Sequence, residues 1–197
     1  FDFTLAQFLL EENVFPVSFR SGWYYMDNDW QNYLNKILPY SLHNEYPNVH
    51  TDLTEPIDNN FDWSQSSPEF VPFHPSTTNY QLPGDGKGWD VRAKYMGSTA
   101  QELINNAFSK ANLGTDQLVC LWSHLPDANF MNEIQHVNNL AHQSAINYPN
   151  VEFKYCTAIE AYQLWQQSND SVKPVLQLTE EIIGSDIKFL ISTDEEI

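Results

Sequence analysis

Between Gln101 and Gln166 a short, unbroken apolar run, Leu118-Val119-Cys120-Leu121-Trp122, is set between two segments of helical periodicity. A continuous run of this length reads as a strand covered on both faces. The segment before it, Thr99 to Ala111, places Leu103, Ile104, Ala107 and Phe108 on one side, with Ser98 or Thr99 as its N-cap and Gly114 just past its end. The segment after it, Phe130 to Asn147, does the same with Ile134, Val137, Leu140, Ala141 and Ala145. Val151 to Tyr155 reads as the next strand, and Thr157 caps a helix over Ala158 to Trp165. The order α, β, α, β, α implies a parallel sheet or a β/α barrel, so the expected class is α/β.

The upstream half fits the same class. Phe3 to Asn13 reads as a helix with Leu5, Phe8, Leu9 and Phe15 on one face. Val17 to Phe19 follows as a buried strand, with Pro16 where a missing N–H does least harm. That strand runs into Arg20 and is broken at Gly22, and Trp23, Tyr24, Tyr25, Asp27 and Asp29 come directly after. Trp30, Tyr33, Leu34 and Ile37 make a helical stripe over Asp29 to Leu38. From Ser41 to Pro83 the pattern dissolves into Asn, Asp, Ser, Thr and Pro. An excursion of this length is expected to hold a short hairpin or two and to cover the strand ends, bringing Trp63, Phe73 or His74 to a cleft. The turn Pro83 to Gly88 closes it, and Trp89 to Tyr95 alternates as a strand. Residues 1–167 thus form one β/α domain, 168–174 a linker, and 175–197 the start of an all-β module, with strands at Val175–Leu178 and Ile187–Ile191 around Gly184-Ser185.

Charge narrows the partners. With 9 basic and 26 acidic residues the net charge is −17, a surface that repels nucleic acid and anionic lipid. No run reaches transmembrane length. An aromatic content of 14% suits stacking on sugar rings, and suits a large core equally. Cys120 and Cys156 lack metal-ligand spacing and read as buried structural thiols; a disulfide would require their strands to be neighbours.

In a parallel α/β fold the C-terminal ends of the strands share one rim, and ligands bind there. Three such ends carry polar candidates: Arg20 with Asp27 and Asp29 after it, Ser123-His124, and Cys156-Thr157. Histidine gives and takes a proton near neutral pH, which makes His124 the candidate proton carrier. The structural alternatives are a packing histidine and a surface arginine. His136 and His142 lie six apart on a helix, on different faces, and do not suit a metal.

The run Leu118 to Trp165 resembles the end of the polysaccharide deacetylase domain, where a strand delivers a catalytic histidine, a long helix follows, and a strand leads into a Thr-Ala-x-Glu-Ala helix. Phe15 to Trp23 resembles that family's arginine-bearing strand end, and Pro72 to Ser76 through Trp89 its loop-then-strand segment. The resemblance implies a distorted β/α barrel and metal-dependent removal of acyl groups from glycans. It implies His124 as general acid and Arg20 as the residue orienting the base. It makes Trp23 and Trp122 part of the sugar wall; the strand-end position of Asp27 and the aromatic excursion bearing Trp63 and His74 add these three as further candidate substrate contacts. It also implies a glycan partner, a divalent metal, and an extracellular or periplasmic setting. The family's metal-binding Asp and His-x-x-x-His belong upstream of Arg20, and this sequence contains neither; Arg20-Ser21-Gly22 also departs from the family's Arg-x-Pro. The chemistry needs a metal-activated water. A preceding segment or a neighbouring chain is therefore expected to complete the sheet beside Val17–Phe19, leaving Phe15 and Phe19 partly bare. Two other readings compete. One is a non-catalytic carbohydrate-binding or scaffold module. The other is a glycoside hydrolase pairing Asp27 or Asp29 with Asp62 or Glu69, a mechanism that depends on the distance between two carboxyls.

Overall fold

The computed structural model describes residues 1–12, 14, 16–38, 40–43, 49–52, 59–97, 100–125, 128–168 and 175–193. The chain divides into two units, Phe1–Ile159 and Glu160–Ile197. In the first, α1 (Asp2–Glu12) leads to β1 (Ser18–Phe19), a 3-10 turn (Gly22–Tyr24), α2 (Asn28–Leu34) and β2 (Tyr40–His43). A hairpin of β3 (Val49–Asp52) and β4 (Asn59–Asp62) follows, then β5 (Trp89–Tyr95), α3 (Ala100–Asn112), β6 (Cys120–Trp122) and α4 (Phe130–Asn147). The helix α5 (Ala158–Trp165) spans the boundary. In the second unit β7 (Leu176–Ile183) and β8 (Asp186–Thr193) pair antiparallel around Gly184, whose φ of 67° suits the turn. Phe15, Ser98 and Thr99 lie outside the described residues.

The main sheet has four strands in the order β1-β2-β5-β6, and every pair is parallel. Across a flat sheet β1 and β6 would stand about 14 Å apart, three strand spacings. Yet the guanidinium carbon of Arg20, one residue past β1, lies 4.3 Å from the ring centroid of Trp122, the last residue of β6. The sheet is curled into a half-barrel, the mixed α/β class that the sequence predicts, and that curl with the reach of the two long side chains brings them together.

Two clusters cover it. Met26, Leu34, Leu38 and Trp63 are buried together, with Phe19, Trp30, Ile37 and Tyr80 packed on them. Ala100 and Ile104 of α3 pack with Phe108 and with Leu140 of α4, and Leu121, Val137 and Val151 close that group. The strand β5 is buried on both faces, although Asp90, Arg92 and Lys94 alternate with its apolar residues. Arg92 donates to the carbonyl of Pro68 and lies over the ring of Phe70 at 5.0 Å.

Three expectations require correction. Val151 to Tyr155 forms no strand: Val151 joins the helix cluster, and the Phe153 ring packs on Phe108 and His142, so these side chains cap helices and do not extend the sheet past β6. Residues 41–43, read as the start of an irregular stretch, belong instead to a central strand, Tyr40–His43, between β1 and β5. Cys156 is exposed, Cys120 is half-buried, and the two form no disulfide, because Cys156 sits on no strand beside β6.

Candidate functional site

Because the four strands are parallel, the residues that follow or end them meet on one rim. Arg20 follows β1, Tyr95 ends β5, and Trp122, Ser123 and His124 end or follow β6. Trp122 is the hub. Arg20 stacks over it, and the rings of Tyr24, Tyr95 and His124 meet it edge-on or tilted at centroid distances of 5.9, 5.1 and 5.0 Å. Arg20 also lies 5.4 Å from the ring of Tyr24, so the cation is held between two aromatic faces. A polar string runs behind the hub. Glu133, in the first turn of α4, accepts a hydrogen bond from Ser123 Oγ at 2.8 Å and another from Tyr95 Oη at 3.2 Å. A carboxylate is favoured at a helix start, where unpaired N–H groups carry partial positive charge.

Tyr24 reaches this place through an unusual backbone. Its φ is 60°, the left-handed region, which costs a residue other than glycine about 1–2 kcal/mol. Its N–H donates to the carbonyl of Ser21, and its own carbonyl accepts from Trp63 Nε1 at 3.0 Å. Trp63 is 1% exposed. It therefore sits under the rim and pins the turn, whereas the sequence suggests it as a wall of the cleft.

The other residues singled out from the sequence fall elsewhere. Asp27 caps α2, its carboxylate accepting from the N–H of Trp30 at 2.7 Å and from the hydroxyl of Tyr25. The Tyr25 hydroxyl is pushed up from its ordinary value, first by that bond and then by burial and by the charges of Asp27 and Asp29. Asp27, Asp29, Tyr25, Trp30, Tyr33 and Phe1 line an open concavity of about 640 Å³. His74 lies at the opposite rim, its Nδ1 3.0 Å from the carbonyl of Gly88 and its ring 3.9 Å from that of Trp89, the first residue of β5. The length of β5, about 20 Å, separates it from Tyr95. Phe73 pairs with Asp90 at that same end. The excursion thus runs from the C-terminal rim at Trp63 to the N-terminal rim at His74. Asn28 and Asn32 of α2 hold it through the carbonyls of Thr78 and Thr77. The side chain of Trp23 lies outside the described residues. Of the carboxylates considered for glycoside hydrolysis, Asp62 accepts from Ser64 and is held below the usual carboxylate range by it, while Glu69 pairs with Lys110.

The rim brings Arg20, Trp122 and His124 together. It adds Tyr24, Tyr95 and Glu133, which the sequence reading did not nominate. Tyr95 carries the same signal as Arg20, a polar residue at a strand's C-terminal end. Glu133 shows only as an acid in a helix's first turn, and Tyr24 shows by nothing local.

The donor set at the rim does not suit a divalent cation. A guanidinium occupies its middle, Glu133 is engaged by two hydroxyls, and burial pushes the Cys120 thiol up to about 11 against the opposing charge of Arg20. Among the described residues no group of three or more His, Cys, Asp or Glu side chains converges.

The fold and rim together define a half-barrel α/β protein with an arginine–aromatic cluster where such folds place ligands. No protein-family model, curated protein or solved structure matches the chain.

Proposed function

We propose that this is a carbohydrate-active protein of the polysaccharide deacetylase kind, which holds a glycan at the C-terminal rim of the half-barrel. The observation that carries the reading is the meeting of Arg20 and His124 on Trp122, from strands at opposite edges of the sheet. In this reading a water adds to the acyl carbon, the bond from that carbon to the sugar nitrogen or oxygen breaks, the acyl group leaves as the acid, and His124, exposed at the rim, gives a proton to the departing sugar atom. Trp122 fixes the orientation of both His124 and Arg20. Tyr24 and Tyr95 supply apolar flanks for a pyranose ring, and Ser123 and Glu133 keep the base of the site polar.

A second reading is a glycan-binding module without hydrolysis. It is favoured by the arginine itself, which is packed between rings and forms no ion pair with a described carboxylate of the kind it would orient as a base.

The test measures acetate release and binding together, on acetylated oligosaccharides with divalent metal added. Release that is lost in His124→Ala, with affinity kept, supports the hydrolytic reading. Binding without release, weakened in Trp122→Ala, supports the second. Neither binding nor release overturns both.

A further inference from the structure

Arg20 stands out in a chain with 26 carboxylates and only 9 basic side chains. The residue is half-buried and its guanidinium meets the Tyr24 and Trp122 rings, yet among the described residues no carboxylate or hydrogen-bond acceptor pairs with it. By contrast Lys110 and Lys188 each have an acidic partner. A guanidinium stacked on an aromatic ring keeps its N–H donors in its own plane, directed outward from the stack. A half-buried charge is normally paired in a folded protein, so a guanidinium left open at a strand-end rim points to a ligand that supplies the acceptors.

We propose that Arg20 is the specificity residue for an anionic glycan: it takes the carboxylate of a uronic acid in a two-pronged contact while the sugar ring rests beside Tyr24 and His124. The proposal rests on the glycan reading above and specifies its substrate class. A planar carboxylate matches the guanidinium fork, which a neutral hydroxyl does not. The overall charge of −17 opposes any anion at long range. That repulsion is screened beyond about 8 Å in physiological salt, whereas direct contact with Arg20 is not.

The experiment measures binding of three probes to the full chain by calorimetry: a neutral acetylated oligosaccharide, a uronate-containing oligosaccharide of equal length, and inorganic phosphate as competitor. The uronate chain is expected to bind on the order of tenfold tighter than the neutral one, the scale of one charge-assisted hydrogen bond. Arg20→Gln should erase that preference, so that the uronate and neutral chains bind the variant with the same affinity, whatever that affinity is. Arg20→Lys, which keeps charge and bulk without the fork, should retain only part of it and guards against loss of fold in the glutamine variant. Equal affinities in the parent protein, or a preference that survives Arg20→Gln, would overturn the proposal. So would phosphate displacing the uronate chain at equal concentration, since the site would then recognise charge without the sugar. Acetate release without uronate preference removes this inference and leaves the proposed function standing; uronate preference without acetate release does the reverse for the hydrolytic reading.

Discussion

Replacing Trp63 with Phe isolates the support under the rim. The substitution removes the N–H that meets the Tyr24 carbonyl at 3.0 Å and shrinks a side chain that is 1% exposed. Loss of the bond costs about 1–2 kcal/mol, because the carbonyl it leaves is partly shielded from water. The smaller ring adds about 1–2 kcal/mol, a fraction of the 3–5 kcal/mol for full truncation of a tryptophan. The sum, about 2–4 kcal/mol, corresponds to a drop of about 5–15 °C in melting temperature for a chain of this size. The informative measurement is the same substitution in a Tyr24→Gly background. Glycine adopts a φ of 60° without penalty, and its ring contacts with Arg20 and Trp122 are already gone. Trp63→Phe should therefore cost about 1 kcal/mol less there, read from urea titrations of the four proteins followed by circular dichroism. A cost equal in both backgrounds, within about 0.5 kcal/mol, would show that the indole does not hold the Tyr24 turn and would refute the reasoning.

Two further outcomes follow from the structure. Burial raises the Cys120 thiol to about 11, and burial with the nearby charges of Asp62 and Asp27 raises the Tyr80 hydroxyl to about 12. The folded chain thus keeps protons that the unfolded chain begins to release near pH 8.5 and 10, so the urea midpoint should be steady up to about pH 8.5 and fall above it; a midpoint flat to pH 11 would contradict the burial. A methyl group at Gly86 would overlap the carbonyl oxygen of Pro75, whereas one at Gly22 meets nothing within 4 Å. Thermal melts should show Gly86→Ala losing about 1–3 kcal/mol and Gly22→Ala changing stability by no more than about 0.5 kcal/mol.

The elements that could be read from the sequence are those whose burial is apolar and periodic. Phe130–Asn147 and Trp89–Tyr95 have the limits that their patterns predict. Tyr40–His43 could not be read because its buried position is a serine. Ser41 is 3% exposed, accepts from Gln31 Nε2 at 3.1 Å and donates to the Trp89 carbonyl, so polar pairing does what hydrophobic contact does elsewhere. Val151 to Tyr155 misled for the opposite reason: alternation alone does not distinguish a strand from a segment whose apolar residues seat on helices. At the rim, Arg20 and His124 were legible because they end or follow strands. The curl that brings them together was not, since it depends on four strands, one of them hidden. The role of Trp63 depends on a contact spanning 39 positions, which no local pattern encodes.

Burying Arg92 and Lys94 within β5 has a consequence for the molecule's behaviour in solution. Two of its nine cations are 6% and 2% exposed, so the exterior is poorer in positive groups than the composition implies. The particle therefore meets its neighbours as a polyanion. In about 0.01 M salt, copies repel over a range of about 30 Å, a colloidal barrier that opposes contact between the bare aromatic rings of α1, Phe3 and Phe8.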